Sequence, residues 1–213
     1  MANIMLYHGT CVGWLMLPGK GFSLQDTPYG EADPPHKFIY LCTKWDGAES
    51  AAFTSKSSCE RRIKNGTLSA ADFVDNIPAG VPTPVVYTLD FQDPDEIDWC
   101  AASLDENVKK RVIDALESLC KEKNDTFTYI KHRAAFLLNS MTWQEWVDVA
   151  SKKHCAELNS TDDKRVAVFK RGGFEFVRNL EIYPSNFGDT VAWILPVQPK
   201  QPTAVAHVVL ATK

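Results

Sequence analysis

Near the amino terminus, the apolar segment Met5-Leu6-Tyr7 runs into His8-Gly9-Thr10. Glycine lets a planar ligand come close to the backbone, and the adjacent imidazole offers a hydrogen-bond donor or acceptor beside it. A second aromatic-rich segment, Phe38-Ile39-Tyr40-Leu41-Cys42, ends at Thr43. Acidic residues follow near the late extended segments, at Glu175, Glu181 and Asp189. Together these make a histidine at the end of an N-terminal strand, an aromatic strand and a carboxylate, the raw material of a site for a small ring-bearing ligand.

Other chemistries lack their signatures. There is no His-Glu-x-x-His, no Gly-x-Ser-x-Gly elbow, no phosphate-loop lysine and no Gly-x-Gly-x-x-Gly between strand and helix. Hydrolase and nucleotide-kinase classes lose their footing, and no metal is expected. The six cysteines are scattered, without a Cys-x-x-Cys pair, and read as buried thiols in a reducing compartment. A net charge of −4 and the absence of a long like-charge run argue against a membrane partner and give nucleic acid no strong support. One small basic cluster, Lys56, Arg61, Arg62 and Lys64, reads as a solvated helix face or loop. With no secretory leader pattern and no apolar run of about 18 residues, the expectation is a cytoplasmic protein. On that expectation the sequons at Asn65, Asn124 and Asn159 carry no weight.

The elements that must position these residues follow from periodicity. Asp46 to Phe53 has small residues at helical spacing and reads as a short helix capped by Thr43 or Asp46, and Ser55 to Pro84 as mostly irregular, with a helical turn at Ala70 to Asp75. Val85 to Phe91, bounded by Pro82, Pro84 and Asp93-Pro94, reads as a strand. Leu104, Val108, Val112, Ala115, Leu116 and Leu119 recur at three and four, with Ser103 and Glu106 as a capping box. A second run covers Phe127, Ile130, Ala134, Leu137 and Leu138, and a third starts at Thr142 with Glu145 as its capping partner and Trp143 and Trp146 in the core. Extended segments are expected at Val166 to Phe169, Phe174 to Val177, Val191 to Leu195 and Val205 to Leu210. Strands, a helical centre and strands again predict a single α+β domain over 1–213 with a helical insertion at about 103–154.

Three blocks carry a resemblance. Leu6-Tyr7-His8-Gly9-Thr10, then Phe38 to Thr43 with the small-residue helix to Phe53, and finally Gly188-Asp189-Thr190-Val191-Ala192-Trp193 resemble the ADP-ribosyltransferase superfamily, in its His-Tyr-acid branch of diphtheria-like toxins and poly(ADP-ribose) polymerases. The first block is the most specific, and the three cover a small part of the chain. The resemblance implies a split β-sheet core and NAD as co-substrate. It implies that His8 bonds the adenosine ribose, that Gly9 and Thr10 help hold NAD with the Gly9 backbone on the carboxamide, and that Tyr40 stacks on the nicotinamide. Phe53 would offer a second aromatic face, and Asp189 would contact the nicotinamide ribose.

Cleaving the nicotinamide–ribose bond makes an oxocarbenium-like ribose, so a nearby carboxylate stabilises charge that grows only in the transition state. The implied activity is mono-ADP-ribosyl transfer to an intracellular macromolecule or small molecule, as suits a phage- or bacterium-encoded effector. Departures are visible too. The family's usual acid is glutamate, so Glu175 and Glu181 stand in reserve behind Asp189. Two alternatives remain open: a catalytically degenerate binding or inhibitor module, and an RNA 2′-phosphotransferase, which would need Arg61, Arg62, Arg165 and Arg171 to converge on a phosphate.

Overall fold

The structure, a computed structural model, describes residues 3–11, 16–17, 21–22, 38–66, 82–158, 160–180, 189–194 and 202–208. The expected helical turn at Ala70 to Asp75 lies outside them, as does Glu181. Within them the chain is α+β, with nine strands and five helices.

A seven-stranded mixed sheet forms the spine. It is built from β1 (Asn3–Cys11), β4 (Ile39–Cys42), β5 (Pro84–Gln92), β6 (Glu96–Asp98), β7 (Phe176–Arg178), β8 (Thr190–Trp193) and β9 (Ala204–His207). Its order is β6-β7-β8-β4-β1-β5-β9. Only β6 and β7 run parallel; every other neighbouring pair is antiparallel. Two further short strands, β2 (Met16–Leu17) and β3 (Gly21–Phe22), make a separate antiparallel ribbon.

β1 is longer than the sequence pattern implies. It pairs with β5 over all nine residues, from Asn3 opposite Gln92 to Cys11 opposite Pro84. His8, Gly9 and Thr10 therefore lie inside the strand, opposite Tyr87, Val86 and Val85, rather than at its end. Against β4 the contact is brief, with Tyr7 opposite Cys42 as the one registered pair.

The two sheet faces have separate cores. Alternation along the strands puts Leu6, Leu41, Leu89, Phe91, Phe176 and Trp193 on one face, where they form one buried cluster. On the other face Ile97, Val177 and Ala192 meet the helices α2 (Glu106–Glu122), α4 (Trp143–His154) and α5 (Thr161–Arg171), whose contribution includes Trp146, Phe169 and Val147. Beside them α3 (Thr126–Leu137) packs Tyr129 and Phe136 near Trp146. Trp143 and Trp146 are core side chains as expected.

Local signals account for most of the helix boundaries. α4 begins with the expected capping box, in which Thr142 accepts from the Glu145 amide and Glu145 accepts from the Thr142 amide. At α2 the cap is Asp105, which accepts from the amides of Asn107 and Val108, and not Ser103. α1 (Trp45–Lys64) runs eleven residues beyond the expected end at Phe53, and Lys44, not Thr43 or Asp46, is its N-cap. Arg61, Arg62 and Lys64 sit in its last turn, where cations suit the helix dipole, and Cys59 is buried beneath it. The basic cluster therefore belongs to a helix end. The expected strand at Val166 to Phe169 is instead the body of α5, capped by Ser160 with Asp162 and Asp163 in its first turn. Four helices, not three, thus make up the helical region.

Five of the six cysteines are buried and Cys100 is exposed. Cys11 shares a hydrogen bond with Cys59 where β1 meets α1, and that bond together with burial pushes the Cys11 thiol pKa up. No helix of the described residues is long and apolar enough to cross a membrane.

Candidate functional site

His8, Tyr40 and Asp189 are far apart in sequence, and they come to three adjacent strands because β4 inserts between β1 and β8. The register fixes what each presents. Tyr40 stands opposite Ala192, Leu41 opposite Val191 and Cys42 opposite Thr190. The carbonyl of Asp189, immediately before β8, accepts from both the amide and the hydroxyl of Thr43 at 3.1 Å, which pins the start of β8 to the end of β4. Asp189 itself is exposed.

His8 closes the place where the β1–β4 ladder stops. Its Nδ1 lies 2.8 Å from the Tyr40 carbonyl oxygen. A carbonyl can only accept, so Nδ1 carries the proton and, in the neutral ring, Nε2 keeps the lone pair. Burial lowers the His8 pKa, with the Tyr40 carbonyl acting in the opposite sense, so the ring is neutral near pH 7. The product is a neutral imidazole held in one tautomer by the Tyr40 carbonyl.

Gly9 has a different physical reason from the one its motif suggests. A Cβ at Gly9 would sit 1.7 Å from the Ala48 carbonyl oxygen and 2.9 Å from the Ala52 amide nitrogen. The close approach that glycine permits is made by α1, which lies directly on β1 through Ala48 and Ala52, both fully buried. Thr10, two residues beyond His8, is buried opposite Val85.

Tyr40 is turned toward the helices. Its ring stands edge-on to Phe38 at 4.8 Å, and its hydroxyl donates to Asp162 Oδ2 at 3.1 Å. Asp162 also faces Arg165 Nη1 at 3.3 Å, and Arg165 grips Asp148 through Nε at 2.7 Å and Nη2 at 3.0 Å. The Arg165 guanidinium lies over the Trp99 ring, 4.4 Å from its centroid. Loss of hydration would lower the Arg165 pKa, but the two carboxylates outweigh it and the net direction is upward.

The two halves of the constellation therefore look in opposite directions. Residues directly opposite in an antiparallel pair share a face, so His8 shares one with Tyr87, in the cluster of Leu41 and Val191. The Tyr40 ring shares the other face with Ala192 and the helices. Phe53 packs with Cys42, Ala48, Ala52 and Val86, whereas Tyr40 packs with the helical core, so the two rings belong to different clusters. Asp189 immediately precedes β8, two strands from β1 and two residues before Val191, which is level with His8.

Of the reserve acids, Glu175 is half-buried one residue before β7, where its amide donates to the Asp95 carbonyl. The arginines do not converge: Arg165 is held by Asp148 and Asp162, and Arg171 pairs with Glu122 at 2.5 Å. Among the described residues there is no group of three or more His, Cys, Asp or Glu side chains placed to hold a metal ion.

Sequence reasoning missed Asp162 and Asp148, and named Arg165 only as one of the four arginines that a phosphate site would need. A signal existed in Ser160 followed by Asp162, Asp163 and Arg165, the signature of a capped helix start. No protein-family model, no curated protein and no solved structure matches the chain.

Proposed function

We propose that the chain is an NAD-dependent mono-ADP-ribosyltransferase that cleaves the nicotinamide–ribose bond and passes ADP-ribose to an intracellular acceptor. The observation that supports this reading is the adjacency of β1, β4 and β8, the strands that carry or adjoin His8, Tyr40 and Asp189. In this reading the face of β1 that carries His8 and Thr10 receives the ribose of NAD, whereas Gly9 under α1 and Phe53 on α1 lie on the opposite side and are not part of that site. The exposed Asp189 carboxylate stabilises the oxocarbenium-like ribose as nicotinamide leaves, an interaction made mainly in the transition state. Tyr40 acts through its carbonyl, which fixes the His8 tautomer.

Two observations favour a second reading, a non-catalytic binding module. α1 closes over Gly9, and the Tyr40 ring is engaged with Asp162 on the face away from His8. NAD labelled in the adenylate portion and separately in nicotinamide discriminates the two. Release of labelled nicotinamide by the purified protein, with adenylate label recovered on an acceptor, supports the transferase. NAD that remains intact over long incubation overturns it and leaves the binding module.

A further inference from the structure

α3 is apolar on two sides. Its inner side packs Tyr129 and Phe136 against Trp146. Its outer side carries Phe127, Ile130, Ala134 and Leu137, with Leu138 following at its C-cap, at steps of three, four, three and one. At 100° per residue these fall within an arc of about 100°. Phe127 is 77% exposed, Ile130 60%, Leu137 54% and Leu138 78%. Seven large apolar side chains are exposed among the described residues, and four of them lie on this one stripe. Scattered single exposures are ordinary, but a contiguous stripe marks a surface that is covered in use.

Charge narrows what covers it. Residues 126–140 contain Lys131, His132 and Arg133 and no Asp or Glu. On the helix wheel Lys131 and Arg133 flank the stripe, one on each side, and both are exposed. A second copy fits poorly, because antiparallel packing of two α3 stripes brings both pairs of Lys131 and Arg133 together at the dyad. A chain of net charge −4 is repelled by an anionic bilayer.

We propose that the outer face of α3 docks an acidic amphipathic helix of a partner protein, its apolar ridge on Phe127, Ile130, Leu137 and Leu138 and its carboxylates against Lys131 and Arg133. The mode is that of an amphipathic helix laid by its apolar side on a hydrophobic surface. The proposal is independent of NAD chemistry, since α3 contributes nothing to the strands that carry His8, Tyr40 and Asp189.

The test is fluorescence anisotropy of a labelled synthetic amphipathic peptide with a leucine ridge flanked by glutamates, compared with the same peptide carrying lysines in place of glutamates. Wild-type protein is expected to bind the acidic peptide and not the basic one. The double substitution of Phe127→Asp with Leu138→Asp is expected to weaken binding by at least about tenfold. Both side chains are exposed, so circular dichroism is expected to be unchanged. Lys131→Glu combined with Arg133→Glu is expected to exchange the preference toward the basic peptide. No binding of the acidic peptide, equal binding of the two peptides, or binding indifferent to these substitutions overturns the proposal. So does concentration-dependent dimerisation that Phe127→Asp abolishes, or preferential binding of phosphatidylserine vesicles, which assigns the stripe to a second copy or to a bilayer.

Discussion

Gly9→Ala isolates the contact on which the β1–α1 junction depends. The added Cβ would meet the Ala48 carbonyl oxygen at 1.7 Å, the Ala48 carbonyl carbon at 2.6 Å and the Ala52 amide nitrogen at 2.9 Å. Unstrained contacts of this kind begin at about 3.4 Å, so α1 would have to retreat by about 1.7 Å at this point. The obstacle is helix backbone, which has no rotamer to escape into. β1 cannot yield either, because it lies between β4 and β5 and is paired with β5 along its full length. Overpacking that can relax costs about 1–3 kcal/mol, and a collision with fixed backbone belongs at or above the top of that range. At about 2–4 °C per kcal/mol for a domain of this size, a cost of about 3 kcal/mol lowers the melting temperature by about 6–12 °C. Thermal unfolding followed by circular dichroism, backed by urea titration, measures it. A Gly9→Ala protein melting within about 2 °C of wild type would refute the packing argument and return Gly9 to a purely ligand-facing role.

Tyr40→Phe keeps the ring and removes the donor to Asp162, so it is expected to cost about 1–2 kcal/mol in urea unfolding; an unchanged midpoint would show that the hydroxyl is incidental. Asp189→Asn is expected to leave the melting temperature unchanged, since Thr43 bonds the backbone carbonyl, while slowing nicotinamide release by about 100-fold. Wild-type release from that variant would move the acid elsewhere, with Glu175→Gln and Glu181→Gln as the next measurements. His8, His132 and His154 all have pKa values lowered chiefly by burial. The unfolded chain therefore binds more protons than the folded one below about pH 6.5, so stability is complete above that pH and falls as pH drops toward the folded values. A urea midpoint that holds or rises between pH 7.5 and 5.5 contradicts this sign, and His8→Ala should flatten the slope.

The sequence was legible where one local physical signal dominated. The run Val85 to Phe91, bounded by Pro82, Pro84 and Asp93-Pro94, marked β5. The three-and-four spacing of Val112, Ala115, Leu116 and Leu119 marked α2, and Thr142 with Glu145 marked the start of α4. Each depends on residues within a few positions of one another. The run Val166 to Phe169 was misleading for the same reason: a short apolar β-branched stretch fits a buried strand or one turn of a buried helix, and only the cap at Ser160 and the packing of Val166, Val168 and Phe169 in the helical core decide for α5.

The candidate site divides along the same line. The motifs suggested His8, Tyr40 and Asp189 as one candidate site through a resemblance, but which way each points could not be read from them. Orientation follows from register, and because side chains alternate with period two, a slip of one residue exchanges the faces of a whole strand. The pairings that settle it, Tyr7 with Cys42 and Tyr40 with Ala192, span 35 and 152 positions and leave no trace in local composition. The same holds for the hydroxyl of Tyr40, whose partner Asp162 lies 122 residues away on a helix. Gly9 is the converse case: the sequence demanded a close approach there, and the tertiary structure decided that the approaching group is the backbone of α1, because Ala48 and Ala52 have no side chains large enough to hold the helix off the sheet.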